Sequence, residues 1–364
     1  MIFINILELT VRFINILRNF KKIPLMKRLI FPTLFLMLIT SFLIQCKDDF
    51  TLMPEPSYEE IVAVANKAAG SVSFINSQNN ELIKTLSIPN SEPMYVVYVP
   101  KNDRLYVGDR AGKKIVVINP ASQTVESSIP VGTGVFHMWA GGNGNQLWVN
   151  NDIDNTISVI NISTNAVVKT IDVGMKPHDV FVTQDGSKAF VSVFSPDPAT
   201  PDKIFMYSTS NFNKTAEINV GKDPHLYHIP STNNLYVPCQ SGELFVLDGS
   251  NLNIIEQKNF PGAHGIFPSH DNKYLFVTNL PGNQVYSIKT SDVSQLGMPT
   301  STTTAVPHNV VVNETANKLF VTHSGATADK VSIYAINNGL LTLQSTITTA
   351  TNPFGIAYYK REIK

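Results

Sequence analysis

Short apolar blocks recur along the chain at a nearly constant interval. The most regular block is a triplet that ends in valine and is followed by a small or polar pair. Six clear copies and a weaker one at the start are Leu105-Tyr106-Val107, Leu147-Trp148-Val149, Ala189-Phe190-Val191, Leu235-Tyr236-Val237, Leu275-Phe276-Val277, Leu319-Phe320-Val321 and Val62-Ala63-Val64. Successive valines lie 43, 42, 42, 46, 40 and 44 residues apart. Seven copies at so even a spacing indicate an internally repeated fold.

Each triplet opens a unit of four short strands. The cleanest unit begins with Gln146-Leu147-Trp148-Val149-Asn150-Asn151 and continues through apolar strands at 156–161, 166–173 and 179–183. Turn residues punctuate many of the units. Four strands in ~40–45 residues is the period of a propeller blade. Strands that are apolar nearly throughout suit blades that pack on neighbours at both faces. The pattern predicts an all-β, seven-bladed β-propeller of four-stranded blades.

The two ends of the repeat region complement each other. The first copy lacks an innermost strand, and residues 355–359 supply one extra strand at the end. Pairing of these N- and C-terminal strands would close the ring and remove an open sheet edge. Residues 58–70 look helical by propensity, but the register of the repeat favours a strand at their start.

Charge is distributed unevenly along the chain. The chain has 28 basic and 28 acidic residues. Residues 1–45 contain six of the basic residues and one of the acidic ones. The rest of the chain therefore has 22 basic and 27 acidic residues, a net charge of −5. A mildly acidic body without a basic run is a poor partner for nucleic acid. Two cysteines provide no disulfide framework. We therefore expect that the protein binds no nucleic acid. We also expect a monomer.

The amino-terminal region has the pattern of a targeting signal. Met26-Lys27-Arg28 precedes an apolar run at 29–44, which is followed by Gln45 and Cys46. A short basic segment before an apolar core is typical of a secretory signal. The run is under 18 residues and contains Pro32, so it is a weak candidate for a permanent membrane span.

The segment Leu43-Ile44-Gln45-Cys46 resembles the lipobox of bacterial lipoproteins. The resemblance implies cleavage before Cys46 and acylation of its thiol, which would attach the protein to a membrane of the cell envelope. An uncleaved anchor or a plain buried cysteine is the alternative. We expect a signal segment at 1–45, with Met26 as an alternative start, a lipidated tether at 46–58 and the propeller at 59–364.

The repeat resembles that of the YVTN-repeat β-propellers. The resemblance rests on Leu147-Trp148-Val149-Asn150-Asn151 with Thr156-Ile157-Ser158-Val159-Ile160-Asn161, on Leu275-Phe276-Val277-Thr278-Asn279, and on a Val-Gly-x-x-Pro-His motif at 173–178 and 220–225. It covers about residues 59–360. It implies the propeller fold but little about function, since such repeats occur in surface-layer proteins, periplasmic proteins, quinoprotein-like domains and lactonase-like enzymes.

One position of the repeat is rich in histidine. Aligned on the residue after the interblade turn, the copies read Met94, His137, His178, His225, His264, His308 and Phe354, which include five of the eight histidines. This position begins the innermost strand, so we expect a ring of imidazoles at the mouth of the central channel. The ring is either a ligand-binding site or a structural device that fixes the turns between blades.

A second set lies two residues after each valine and is expected on the same face. It consists of Asn66, Asp109, Asn151, Val193, Cys239, Asn279 and His323. Imidazole and thiolate are good ligands for zinc or copper, and thioether favours cuprous ion. The candidate metal ligands are therefore His178, His225, His264, Cys239, His323 and Met94. The aromatic residues Trp139, Trp148, Tyr227 and Phe267 are expected in strand cores.

The sequence shows no paired carboxylates, nucleophile motif or cofactor fingerprint. We therefore expect no cofactor, with zinc or copper as the alternative. The favoured function is a non-catalytic binding or scaffold lipoprotein that uses the histidine face for an unknown protein or small molecule. The alternatives are an enzyme of the lactonase-like or quinoprotein-like kind, with His178, His225 and His264 and Asp109 or Asp179 as its acid and base groups, and a metal-binding protein.

Overall fold

A computed structural model describes residues 56–315 and 317–363. These residues form 28 strands and no helix. In chain order the strands are β1 (Tyr58–Asn66), β2 (Ser71–Asn76), β3 (Glu81–Ser87), β4 (Pro93–Val99), β5 (Arg104–Asp109), β6 (Lys114–Asn119), β7 (Thr124–Pro130), β8 (Val135–Ala140), β9 (Gln146–Asn151), β10 (Thr156–Asn161), β11 (Ala166–Asp172), β12 (Lys176–Val182), β13 (Lys188–Phe194), β14 (Asp202–Ser208), β15 (Lys214–Val220), β16 (Tyr227–Ile229), β17 (Asn234–Pro238), β18 (Glu243–Asp248), β19 (Ile254–Asn259), β20 (Ala263–Pro268), β21 (Tyr274–Asn279), β22 (Gln284–Lys289), β23 (Thr300–Ser301), β24 (Pro307–Val312), β25 (Lys318–His323), β26 (Lys330–Asn337), β27 (Leu340–Thr348) and β28 (Pro353–Glu362).

The strands form seven four-stranded antiparallel sheets, one for each predicted blade. Blade 1 has the order β28-β1-β2-β3, and blades 2 to 7 each contain four consecutive strands, from β4–β7 to β24–β27. The innermost strands are β28, β4, β8, β12, β16, β20 and β24. The seven-bladed propeller and its closure by the N- and C-terminal strands are confirmed. None of the described residues forms a helix with the length and hydrophobicity that a bilayer crossing needs.

Strand β1 shows why the repeat register outweighs local propensity. It pairs with β2 on one side and with β28 on the other, and residues 61–66 are buried. A helix at this place would leave β28 without its strand partner and would leave one edge of β2 unpaired. Pairing and burial contributed by distant parts of the chain therefore decide the conformation of this segment.

The valine-ending triplets form the packing core between blades. Their central residues in blades 2 to 7 are fully buried: Tyr106, Trp148, Phe190, Tyr236, Phe276 and Phe320. Each hydrophobic cluster joins side chains of adjacent blades, as where Leu147 and Val149 of blade 3 pack with Tyr106 and Ile115 of blade 2. Burial of such a side chain stabilises the fold by about 1.5–3 kcal/mol. Because no blade can bury both faces alone, the repeats depend on one another for stability.

The inner strands approach one another so closely that two positions require glycine. A Cβ atom added to Gly265 would lie 2.2 Å from the carbonyl oxygen of His308. One added to Gly355 would lie 2.3 Å from the carbonyl oxygen of Met94. These contacts narrow the channel at the level where the histidines lie.

Blade 1 is fastened to both of its neighbours by buried polar groups. On the blade 2 side, Arg361 of β28 donates to both carboxylate oxygens of Asp103, at 3.1 and 3.0 Å, and to Glu59 at 2.6 Å. On the blade 7 side, Lys318 donates to the carbonyl oxygens of Ser77 and Gln78, at 3.1 and 2.7 Å. The blade assembled from the two ends of the chain is thus bonded across both of its interfaces.

The Arg361 contacts give a test of the closure. We expect Arg361→Met to lower the free energy of unfolding by about 2 kcal/mol or more, because the carboxylates of Asp103 and Glu59 lose a bidentate, largely buried partner. Urea denaturation of the purified propeller measures the change. Arg104→Met is the matched control, because Arg104 and Glu126 form an ion pair with side chains 30% and 34% exposed. The control should lose under about 1 kcal/mol; equal losses in both variants would contradict the role given to Arg361.

Candidate functional site at the central channel

Four of the five aligned histidines occupy the expected position. In each of blades 4, 6 and 7 one residue near the start of the inner strand pairs with a residue at the end of the second strand, as Pro177 pairs with Val193. His178, His264 and His308 each come directly after that inner-strand residue. His225 follows Pro224, which bridges to Cys239 in the same way. These pairings also place the second predicted set of residues at the same end of the channel.

His137 does not share that position, so this part of the alignment is wrong. Val135 pairs with Asn151 as Pro177 pairs with Val193, which makes Phe136 the equivalent of His178 and His137 the equivalent of Asp179. Like β12, β20 and β24, the inner strand β8 carries an irregularity here, with one more residue than its partner. His137 nevertheless lies among the other histidines, because the irregularity brings the positions of both Phe136 and His137 towards the channel axis.

The five histidines form a compact cluster rather than an open ring. Their exposed fractions are between 2% and 7%. Ring centroids are 3.9 Å apart for His225 and His264, 4.9 Å for His178 and His225, 4.9 Å for His264 and His308, and 5.2 Å for His137 and His225. Imidazoles therefore fill the channel at this end, and we name His137, His178, His225, His264 and His308 the histidine cluster.

Two carboxylates lie within the histidine cluster. Asp179 Oδ1 is 2.9 Å from Nδ1 of His137, and Asp179 Oδ2 is 3.6 Å from Nδ1 of His225. Backbone N–H groups of Val180 and Leu226 donate to the two Asp179 oxygens at 2.7 and 2.9 Å. This carboxylate is therefore held rigidly between blades 3, 4 and 5.

Asp223 lies in the turn before β16 and meets three histidines. Its Oδ1 is 3.0 Å from Nε2 of His178 and 3.8 Å from Nε2 of His225, and its Oδ2 is 3.7 Å from Nδ1 of His264. The backbone of Asp223 has a φ of 54°, a left-handed conformation that aspartate tolerates better than most residues. Its N–H donates to the carboxylate of Asp202 at 2.9 Å, which stabilises this turn.

Burial and mutual contact fix the charge of the cluster. Burial lowers the pKa of His137 to about 4 and that of His308 to about 3, and it holds the pKa of His264 well below its ordinary value. Burial alone would raise the pKa of Asp179 and Asp223, but the neighbouring histidines more than offset this and hold both well below the ordinary range. At neutral pH the cluster thus contains two carboxylates and at least three neutral imidazoles.

Several polar atoms of the cluster have no hydrogen-bond partner among the described residues. They are Nε2 of His137 and both ring nitrogens of His264. Buried polar atoms are almost always hydrogen-bonded, and leaving one unpaired costs about 1–3 kcal/mol. A group that binds here would satisfy atoms that the protein leaves unpaired.

Aromatic residues complete the channel wall beside the histidines. The ring of Tyr95 lies on His137 with a centroid distance of 3.6 Å, and Phe354 lies 4.2 Å from His308. The side-chain amide of Asn309 lies 2.7 Å from Nδ1 of His308 and donates to the carbonyl oxygen of Phe354 at 3.0 Å. These contacts hold the flank of the cluster in a single arrangement.

Three predicted metal ligands do not join the cluster. Both ring nitrogens of His323 are engaged, Nδ1 with the carbonyl oxygen of Ala305 at 3.0 Å and Nε2 with the hydroxyl of Ser332 at 2.8 Å. Cys239 is buried in a hydrophobic cluster, which raises the pKa of its thiol. Met94 is fully buried in the core between blades 2 and 3. Asp223 is a candidate ligand that the sequence analysis missed.

A second site lies at the opposite end of the channel and was not predicted. A cavity of ≈ 390 Å³ is lined there by aromatic and aliphatic side chains. Each inner strand contributes the residue that pairs with the middle of a triplet: Val97, Trp139, Phe181, Tyr227, Phe267, Val311 and Ala357. We name this cavity the aromatic funnel. Trp139, Tyr227 and Phe267, which were expected in strand cores, are partly buried: they pack against core clusters and also line the funnel, whereas Trp148 is fully buried.

The aromatic funnel has a continuous aromatic wall. Trp139 and Phe181 stack at 4.5 Å, and Tyr227 contacts Phe181 and Phe267 edge to face or tilted, each at 5.1 Å. A smaller cavity of ≈ 70 Å³ is lined by residues of both sites, including His137 and His225 from the cluster and Trp139 and Tyr227 from the funnel. The two sites are thus separated by one small internal space.

Comparison with solved structures supports the fold and nothing finer. The chain is similar to the Kuenenia stuttgartiensis hydrazine synthase, with 15% identity, a TM-score of 0.63, and coverage of 74% of this chain and 90% of that one. It is similar to the periplasmic gluconolactonase PpgL of Pseudomonas aeruginosa, with 15% identity, a TM-score of 0.67, and coverage of 83% and 99%. No protein-family model and no curated protein sequence matches the chain.

The low pKa values of the histidines predict an acid-sensitive fold. Unfolded histidine has a pKa near 6.5, so below about pH 6.5 the unfolded chain takes up protons that the buried His137 and His308 refuse. Stability should therefore fall as the pH drops from about 6.5 to about 4. Asp179 and Asp223, whose pKa values are lowered in the fold, stabilise it above their unfolded pKa, and that contribution is lost only as the pH falls further below that value.

His308→Phe tests this dependence, because Phe354 and Phe136 occupy the equivalent position in blades 1 and 3. We expect the variant to lose stability less steeply between pH 6.5 and 4.5, by up to about 1.4 kcal/mol per pH unit, as one titrating group is removed. Urea denaturation at several pH values measures the slope. The exposed His270 provides the control, and His270→Gln should leave the slope unchanged. An unchanged slope in His308→Phe would show that His308 is not the protected group.

Proposed function

We propose that the protein is an extracytoplasmic binding lipoprotein whose aromatic funnel takes up a small, largely uncharged molecule with a flat apolar face. The observation that carries this proposal is the cavity of ≈ 390 Å³ with its aromatic wall of Trp139, Phe181, Tyr227 and Phe267. Pockets that bind small molecules are commonly 300–1,000 Å³, mostly apolar, and supplied with a few polar groups. Lys101, Gln184 and His228 provide polar groups at this funnel.

The binding face proposed here is opposite to the one that the sequence favoured. The histidine end is filled by its own side chains, which are 2–7% exposed. The funnel end is lined by half-buried Trp139, Tyr227 and Phe267. A ligand can therefore bury aromatic surface in the funnel without displacing protein side chains.

A catalytic role in the manner of lactonase-like propellers has less support. The imidazole and carboxylate groups that would act as acid and base are buried in the histidine cluster, and the hydrogen bond from His137 fixes Asp179. Identities of 15% to the enzymes described above show a shared fold alone. Binding at the funnel needs no reactive group and is consistent with its apolar wall.

The two tryptophans allow a direct binding experiment. Trp139 lies in the funnel, whereas Trp148 is fully buried. In a Trp148→Phe protein the indole fluorescence reports Trp139 alone. We expect the uncharged aromatic probe N-phenyl-1-naphthylamine to quench this fluorescence in a saturable manner, because the probe stacks against the funnel wall.

Val97→Trp in that background tests the location, because blade 3 already carries a tryptophan at the equivalent position. The larger ring should fill the funnel and weaken probe binding at least tenfold, as measured by titration of the probe's own emission. Val168→Trp on the exposed face of β11 is the control, since Val168 is 52% exposed, and it should bind the probe as the parent does. Equal binding by both variants would place the probe elsewhere and contradict the proposal.

Attachment to a membrane through Cys46 is a separate part of the proposal. It rests on the basic segment, the apolar run at 29–44 and the lipobox-like Leu43-Ile44-Gln45-Cys46, which lie outside the described residues. The YVTN resemblance and a monomeric state likewise stay predictions. The propeller would then face the periplasm or the cell exterior.

Metabolic labelling with radioactive palmitate in a bacterial host tests the anchor. We expect the full-length protein to incorporate label and Cys46→Ser to incorporate none, because the thiol is the acylated group. Cys239→Ser should remain labelled, since Cys239 is buried within the propeller. Label retained by Cys46→Ser would exclude this anchor, whatever the funnel binds.

A further inference from the structure

The histidine cluster contains unpaired ring nitrogens and a nearby carboxylate, and neither belongs to the aromatic funnel. We propose that it is a binding site for one divalent transition metal, with His178, His225, His264 and Asp223 as ligands and Zn²⁺ or Cu²⁺ as the metal. This inference does not depend on the aromatic funnel. It replaces Cys239, His323 and Met94 of the predicted ligand set with Asp223.

Three ligand atoms already have the spacing of a metal site. Nε2 of His178 is 3.3 Å from Nε2 of His225 and 3.0 Å from Oδ1 of Asp223, and Nε2 of His225 is 3.8 Å from the same oxygen. Zinc binds nitrogen and oxygen at about 2.0–2.1 Å in a tetrahedral arrangement, which places neighbouring ligand atoms about 3.4 Å apart. The three separations lie within about 0.4 Å of that value. Small side-chain rotations would therefore place the three atoms at the corners of a tetrahedral site.

His264 supplies the fourth ligand. It is 4% exposed, and neither of its ring nitrogens has a hydrogen-bond partner among the described residues. One nitrogen of His264 lies within 4.8 Å of ligand atoms of Asp223 and His225. A buried imidazole with both nitrogens free is costly, and a metal bond would satisfy one of them.

Asp179 provides the outer shell of the site. It lies 3.6 Å from Nδ1 of His225 and 2.9 Å from Nδ1 of His137. The N–H groups of Val180 and Leu226 hold Asp179 in place. A shift of a few tenths of an ångström would let Asp179 accept a hydrogen bond from Nδ1 of His225 and leave Nε2 free to bind metal, an arrangement common around metal-bound histidines.

The charge of the cluster favours a cation and restricts its kind. Asp179 and Asp223 place two carboxylates beside the imidazoles, and no Lys or Arg side chain forms an ion pair with either of them among the described residues. A divalent cation bound here would offset their negative charge. Three nitrogen ligands and one oxygen suit Zn²⁺ and Cu²⁺ better than Mg²⁺ or Ca²⁺, which prefer oxygen throughout. Cys239 is buried in a hydrophobic cluster, so no thiolate reaches this site. Both ring nitrogens of His323 are already hydrogen-bonded elsewhere.

Zinc titration of the tag-free propeller tests the proposal. After treatment with a chelator, the protein should bind one Zn²⁺, measured by competition with a coloured zinc indicator, and its melting temperature should rise on binding. Asp223→Asn and His264→Phe should each weaken binding at least tenfold. Phenylalanine is a suitable replacement, because Phe136 and Phe354 occupy the equivalent position in blades 3 and 1.

Matched controls and a spectroscopic measurement separate this site from adventitious binding. His323→Gln, Cys239→Ser and His270→Gln should bind zinc as the parent does. With Cu²⁺ in place of zinc, the electron paramagnetic resonance spectrum should show hyperfine splitting from imidazole nitrogen, which Asp223→Asn should alter. Val97→Trp should bind zinc unchanged, so a failure of the funnel proposal leaves this one standing.

Two results would overturn the proposal. One is the absence of stoichiometric zinc binding by the folded parent protein. The other is undiminished binding by both Asp223→Asn and His264→Phe in proteins that circular dichroism shows to be folded. Either result would leave the cluster as a structural plug in which Asp223 and Asp179 hold the imidazoles.

Discussion

The fold depends on the burial of both faces of every blade, and therefore on closure of the ring. A single four-stranded sheet of this composition would expose two apolar faces to water, and the central aromatic residues of the triplets would lie on them. Closure by β1 and β28 covers the last of these faces and pairs the last strand edge. Arg361 and Lys318 then fasten the composite blade on either side. The stability of any one repeat is thus a property of the whole ring.

The same closure creates the channel and decides what fills it. Seven inner strands meet at the axis, where Gly265 and Gly355 allow backbones to touch. At the histidine end of the channel the imidazole rings pack closely against one another. The same rings contact the carboxylates of Asp179 and Asp223. The other end widens into the aromatic funnel. The channel therefore has a closed polar end and an open apolar end. The polar end suits a metal ion, and the apolar end suits a small molecule with an apolar face.

The buried carboxylates give the closed end its chemical character. In a low-dielectric channel a lone carboxylate would take up a proton, but here neighbouring imidazoles and backbone N–H groups hold both in the ionised form. Asp179 in turn orients the imidazole of His137, whose Nδ1 lies 2.9 Å from its Oδ1. The unpaired nitrogens of His137 and His264 show that the arrangement satisfies only part of its polar groups from within the described protein.

The sequence by itself determined the number of blades, the four-stranded unit and the closure. These follow from apolar triplets at a steady interval, since each triplet must be buried and the only way to bury all of them is a ring. It also located His178, His225, His264 and His308, because a repeated residue keeps its place in the repeat. The alignment placed His137 one residue out of register. Counted from the Val-Gly pair at 131–132, as His178 is counted from the pair at 173–174, the equivalent residue is Phe136, and the strand pairing agrees. Nothing in the sequence indicated that Asp223 meets three histidines, or that Trp139, Phe181, Tyr227 and Phe267 form one wall. Those contacts join residues from different blades, far apart in the chain, and only the curvature of the closed ring brings them together.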